Sequence, residues 1–180
     1  MKILLDPLKT LLMIAKPPPL TKDNTMTLAG LLSPNRVIPE MVSQEHWPAI
    51  VELVDHLVAE NEIPEESRES ILTALKNREE QRSTGIGNGV AIPHCFSEDI
   101  EKVAMVFGKS TGGIEFCSLD RAPVHFVVLF VVPQSQYTLH LKTLAAIAKI
   151  LNSAETRENL ASATNADEIL EVLSRKTARV

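Results

Sequence analysis

Of the five histidines in the chain, His94 alone follows a glycine-rich run, the stretch STGIGNGVAIPHC from Ser83 to Cys95. A neutral imidazole is a competent nucleophile and proton carrier near pH 7, so its type and setting are the first chemical signal in the chain. Gly85, Gly87 and Gly89 let the backbone turn tightly and let a bulky anion approach it closely. Pro93 fixes one dihedral and removes a donor directly before the histidine, which presents the ring at the end of a short strand, at the rim of a sheet. The run is not a nucleotide loop. A P-loop ends in lysine followed by Ser or Thr, and a dinucleotide fingerprint opens a helix after a strand. Here GIGNG follows a helical pattern and leads into a strand, without that lysine.

The surrounding elements must hold that ring. Helical spacing over Ser43 to Glu60 places Trp47, Ile50, Val51, Val54, Leu57 and Val58 on one face, with Pro48 in the first turn. Pro64 opens a second helix, carrying Ile71, Leu72 and Leu75, that runs out near Arg78 to Arg82, just before the glycines. Val90 to Ile92 and Val103 to Phe107 read as short strands, with a turn at Gly112-Gly113 and a further extended piece over Ile114 to Phe116. Pro123 to Val132, PVHFVVLFVV, is apolar on both faces, the pattern of a strand in mid-sheet. Thr138 to Leu151 reads as a helix that buries Leu141, Leu144, Ala145, Ala148 and Leu151, and two short helices follow at Glu155 to Ala161 and Asp167 to Lys176. Interleaved strands and helices predict a single α/β domain, a mixed β-sheet flanked by helices on both faces.

With 180 residues, 44% hydrophobic and 23% charged, the chain suits one globular domain with a sizeable core. A net charge of −5 argues against nucleic acid as a partner, because binding phosphate backbones needs a basic face. Cys95 and Cys117 have no metal-ligand spacing, which points to a reducing, cytoplasmic setting. The opening stretch MKILLDPLKTLLMIAKPPPL is broken by Asp6, Pro7 and Lys9, so no signal peptide or membrane insertion is expected. Residues 1–25 read as a tail or an over-long start, and residues 26–180 as the domain.

The segments REEQRSTGIGNGVAIPH, IEFCSLDRAPVHFVVLFVVP and HLKTLAAIAKIL, in that order and spacing, resemble the fructose/mannitol-type enzyme IIA domains of the bacterial phosphoenolpyruvate-dependent phosphotransferase system. The nitrogen-regulatory branch is the nearest likeness, and the resemblance runs from about Met26 to the C-terminus. It implies that His94 accepts a phosphoryl group, that Arg78 and His140 stabilise that group, and that neither metal nor cofactor takes part. The implied fold agrees with the element pattern. Phosphoryl transfer rests on positioning and charge, so a planar guanidinium and a second imidazole are suitable company, with glycine-loop amides as further donors. Bland readings stand beside these roles. Arg78 could solvate a helix end, His140 could be a cap or surface residue, and Cys95 reads as an inert small residue. His125 reads as a hydrogen-bonded structural residue, and His46 and His56 as solvated.

The sequence departs from the family around the site. Cys95 and Arg82 stand where glycine is common, and Cys117 and His125 where an acid is frequent. The implied partners are an HPr-type phosphocarrier as donor and a IIB protein or a regulatory target as acceptor. The expected docking surface is an apolar patch at the GIGNG loop, rimmed by Glu79, Glu80, Glu98 and Asp99. The chain has room for neither a IIB nor a membrane IIC part, and the resemblance of the STGIGNG segment and of the stand-alone architecture implies a regulatory output. Sugar transport through separate chains, or a binding module without phosphotransfer, are the alternatives.

Overall fold

The computed structural model describes residues 28–175, so the tail expected over residues 1–25 and the last residue of the helix expected to end at Lys176 lie outside it. In chain order the elements are α1 (Leu28–Leu31), β1 (Val37–Ile38), α2 (His46–Ala59), α3 (Arg68–Gln81), β2 (Gly85–Gly87), β3 (Val90–Ala91) and β4 (His94–Ser97). Then follow β5 (Ala104–Ile114), β6 (Val124–Pro133), α4 (Tyr137–Leu151), α5 (Ala154–Ser162) and α6 (Ala166–Arg175).

The two-faced apolar strand expected over residues 123–132 is β6, and it sits in mid-sheet. It pairs antiparallel with β5 on one side and parallel with β3 and β4 on the other. Outside these, β1 runs parallel to β5, and β2 runs antiparallel to β3. The sheet is therefore mixed, as the interleaved pattern implies. Alternate residues of β6 serve opposite layers, because side chains along a strand alternate in direction. Val127, Leu129 and Val131 pack with Leu53, Leu57 and Leu75 of α2 and α3. Phe126, Val128 and Phe130 pack with Ile147, Leu160 and Leu173 of α4, α5 and α6.

Two local expectations differ from the structure. Gly112 and Gly113 do not turn the chain: β5 continues through them to Ile114, and the register against β6 shifts between Lys109 and Ile114. Gly113 has φ +82°, and a Cβ there would lie 2.8 Å from Pro123, so the glycines absorb a bulge. The expected extended piece over Ile114 to Phe116 is the end of this strand plus a single bridge from Glu115 to Glu45. On α4 the buried residues are His140, Thr143, Ile147, Ile150 and Leu151, whereas Leu141 is 49% exposed. Apolar residues surround much of that helix, so periodicity does not select its inner face; packing on the sheet does.

Candidate functional site

β3 and β4 lie along the same side of β6 in one continuous register, Ala91 opposite Val127 and His94 opposite Phe130. Ile92 and Pro93 interrupt the line. The Ile92 amide turns to the Thr84 carbonyl at 3.0 Å, and Phe130 donates to the Pro93 carbonyl at 3.1 Å. His94 was expected at the end of a strand; instead it opens β4, beyond the interruption. That break lets its ring fold back, so that Nδ1 lies 2.7 Å from the Ile92 carbonyl oxygen. A carbonyl only accepts, so Nδ1 carries the proton and Nε2 keeps its lone pair.

Arg78 stands in the last turn of α3 and directs Nε at that lone pair, 3.3 Å from His94 Nε2. Its Nη1 also donates to the Arg82 carbonyl at 2.9 Å, which satisfies a terminal acceptor of the same helix. The reading of Arg78 as a residue that satisfies a helix end describes this second bond. His94 is only 8% exposed, yet it lines a cavity of about 290 Å³ with Arg78, Arg82, Thr84, Ile86 and Leu119. Burial pushes its proton affinity down, the Ile92 carbonyl partly opposes this, and the charges of Arg78 and His140 push it lower again. The balance of these favours the neutral ring.

His140 is neither cap nor surface residue. It lies in the first turn of α4, buried, with its ring centroid 4.9 Å from that of His94. Phe96 and Phe130 flank it at 4.8 and 5.8 Å. Neither of its ring nitrogens has a hydrogen-bond partner among the described residues. Leaving such a group unpaired costs about 1–3 kcal/mol. Burial and then Arg78 lower its proton affinity as well. Three residues from two helices and a strand thus converge.

The glycine loop is anchored by residues whose anchoring part is not read from the sequence. Glu79 Oε1 accepts from the Thr84 amide at 2.7 Å and lies 2.9 Å from His46 Nε2. Burial raises its carboxyl pKa, but the bonds from His46 and Thr84 outweigh this and leave it lowered. Glu79 is therefore turned inward and is not part of an acidic rim; Glu80, Glu98 and Asp99 remain exposed. His46, expected to be solvated, is half-buried on Phe116, with centroids 4.1 Å apart. His56 bonds the Asn35 carbonyl at 2.6 Å, and His125 bonds the Ser110 carbonyl at 2.9 Å, the structural part expected of it. Asp120 accepts from the Asn88 amide at 2.8 Å. The loop amides of Thr84, Gly85 and Asn88 thus bond to Glu79, Ser83 and Asp120, and the donor that meets His94 Nε2 is Arg78 Nε. Only the position of Glu79 next to Arg78, at the helix end nearest the loop, hinted at its anchoring part.

The family model described as phosphoenolpyruvate-dependent sugar phosphotransferase system, EIIA 2, matches residues 31–176. The chain belongs to this EIIA 2 family. It is 34% identical over 124 residues to a nitrogen regulatory protein of Pseudomonas aeruginosa, covering 69% of this chain and 80% of that one. With the fructose-specific EIIABC component of the phosphotransferase system of Bacillus subtilis it shares 31% identity over 149 residues, 83% of this chain but only 23% of that longer protein. Among solved structures, the nitrogen regulatory protein IIA-Ntr of Neisseria meningitidis superposes with a TM-score of 0.74 at 25% identity, over 81% of this chain and 97% of that one. The mannitol IIA of Escherichia coli, solved in complex with phosphorylated IIB, has the same fold, with a TM-score of 0.68 at 20% identity over 80% and 97% of the chains. EIIA 2 domains are phosphotransfer components, so the convergence of His94, Arg78 and His140 lies in a fold of the right kind. Among the described residues, no helix of this EIIA 2 chain is long and apolar enough to cross a membrane.

Proposed function

We propose that the chain is a cytoplasmic phosphohistidine carrier, in which His94 Nε2 takes a phosphoryl group from the phosphohistidine of an HPr-type protein. The observation that carries this reading is the pairing of the two ring nitrogens of His94. Nδ1 is tied to the Ile92 carbonyl, and Nε2 faces Arg78 within a cavity. In the transfer, the donor's N–P bond breaks as the Nε2–P bond forms in line, and the electron pair returns to the donor imidazole. The His94 ring gains cationic character, which strengthens its Nδ1–H bond to Ile92. Arg78 gives up its weak contact with Nε2 and turns its donors to the phosphoryl oxygens. His140, with both nitrogens unpartnered, supplies a further hydrogen bond to the same oxygens.

Docking surrounds the cavity with exposed apolar side chains. Ile86 and Leu119 stand on its wall, and Tyr137 and Leu141 flank His140 on α4. Likeness to nitrogen regulatory proteins over most of their length supports a regulatory output, in which phosphorylation adds nearly two negative charges to this surface and changes its partners. Donation to a separate IIB protein is the second reading, supported by the fructose-specific relatives and by the fold shared with mannitol IIA.

Incubation with phosphoenolpyruvate, enzyme I and an HPr-type carrier is expected to add one acid-labile phosphoryl group, absent in His94→Ala. No mass gain with several carriers would leave a binding module that has lost phosphotransfer. Capture with each phosphorylation state then separates a IIB acceptor from a regulatory target.

A further inference from the structure

A second cavity, of about 390 Å³, lies between the β5–β6 bulge and α5. Its walls carry Lys109, which is 7% exposed, together with Arg157 and His125. Lys109 Nζ donates to the carbonyls of Ala161 and Ala163 at 3.0 and 2.5 Å, the C-terminal end of α5. Among the described residues no carboxylate forms an ion pair with it. Glu40 and Glu168, whose carboxyl pKa values are lowered chiefly by bonds from Thr111 and Thr164 and in small part by Lys109, are engaged by those threonines. Arg157 uses Nη1 on the Leu151 carbonyl at 2.7 Å, which among the described residues leaves most of its fork unspoken for. His125 spends Nδ1 on the Ser110 carbonyl. One carboxylate, Glu158, faces these cations across the cavity.

Lys109 has no ion-pair partner among the described residues, and the two carbonyls take two of its three ammonium donors, which leaves one for a ligand. The field of Lys109 and Arg157 is then focused into a concave, partly apolar space, the kind of setting in which small ligands are held. We propose that this cavity binds a small organic anion, a carboxylate or a phosphate monoester, with its charged group against Lys109 and Arg157 and its body against Phe126, Ala154 and Ala161. Glu158 opposes a second negative group, so a ligand that also carries a hydroxyl or ammonium donor fits better than a polyanion. The site is separate from the cavity of His94, and the inference holds whether or not that histidine carries phosphate. Asn88, in the glycine loop, also lines this space, so an occupant touches the segment that leads to the phosphoacceptor strand.

Amide-resolved NMR titration of the full chain with glutamate, glycerol 3-phosphate and inorganic phosphate tests the site and separates carboxylate from phosphate chemistry. At least one of the two organic anions is expected to give saturable shifts at Ser110, Phe126 and Arg157, with a Kd of about 1 mM or tighter. Arg157→Ala should weaken it about tenfold or more, the loss of one charge-assisted contact. Ala161→Phe, at an exposed helix position, should abolish it by filling the space, while Arg78→Ala leaves it intact. The rest of each spectrum reports that the variants fold. The inference is overturned by any of three results: no saturable shift at Ser110, Phe126 and Arg157 from either organic anion, shifts that map to the Arg78 cavity and vanish in Arg78→Ala, or binding unchanged in both Arg157→Ala and Ala161→Phe.

Discussion

Arg78→Ala is the sharpest test of the phosphotransfer reading, because it touches rate and proton affinity in different ways. The guanidinium stands 3.3 Å from His94 Nε2, and in the proposed transfer it is the donor that meets charge on the phosphoryl oxygens. Losing one preorganised donor of this kind costs about 100- to 1,000-fold in rate, or about 3–4 kcal/mol. The same substitution removes a positive charge that holds the proton affinity of His94 down. Only the neutral ring attacks, so the rate falls as pH drops through the His94 pKa. In Arg78→Ala that pKa rises, and the acid limb of the profile moves to higher pH; burial, the larger cause, keeps the shift incomplete. Folding suffers little, since among the described residues the only other bond lost is Nη1 to the Arg82 carbonyl, worth about 1 kcal/mol. Arg78→Lys should fall between, keeping charge but losing the planar fork. Rapid-quench measurement of phosphoryl gain from a phosphorylated HPr-type donor, repeated from pH 5 to pH 8, gives both readouts. A rate within about tenfold of the parent, or an acid limb that does not move, would refute the placement of this cation.

Stability should depend on pH through the two buried imidazoles. His94 and His140 both have lowered proton affinities, so the unfolded chain binds protons that the fold excludes. The fold therefore loses stability as pH falls below the ordinary histidine value of about 6.5. Between pH 7 and pH 5 the melting temperature of a His94→Gln/His140→Gln double variant should fall less steeply than that of the parent, and equal slopes would contradict this. A Cβ at Gly85 would lie 2.8 Å from the Cα and Cβ of Ser118, so Gly85→Ala should destabilise the fold by about 1–3 kcal/mol in denaturant unfolding. An unchanged midpoint would show that the loop does not pack this closely. Iodoacetamide should label Cys117, which is exposed, and spare Cys95, whose buried thiol is pushed up to about 12. Equal labelling of both in the native protein would place Cys95 outside the core.

Legibility followed the range of the interaction concerned. β6 could be read because a strand buried on both faces must be apolar at nearly every position, and α2 because its apolar residues recur at one clear period. β1 and β4 are short and their pairing partners lie far away in sequence, while β2 is three residues of the glycine run paired with its neighbour β3, so no apolar pattern marks them. The buried side of α4 was misread because the helix is apolar around much of its girth. This matters at the site, since the same rotation that exposes Leu141 turns His140 inward.

By itself the chain named the candidates for the proposed chemistry: one imidazole behind a glycine-rich loop and a proline, an arginine at a helix end, a second imidazole opening a helix. It also determined the mixed, helix-covered sheet, because apolar periodicity and breaker residues act over a few positions. Tertiary structure alone decided which nitrogen of His94 is left free, through a backbone carbonyl that carries no side-chain signature. It likewise drew Glu79 inward and brought Arg78 and His140 to the ring, since these contacts depend on how distant elements pack against β6.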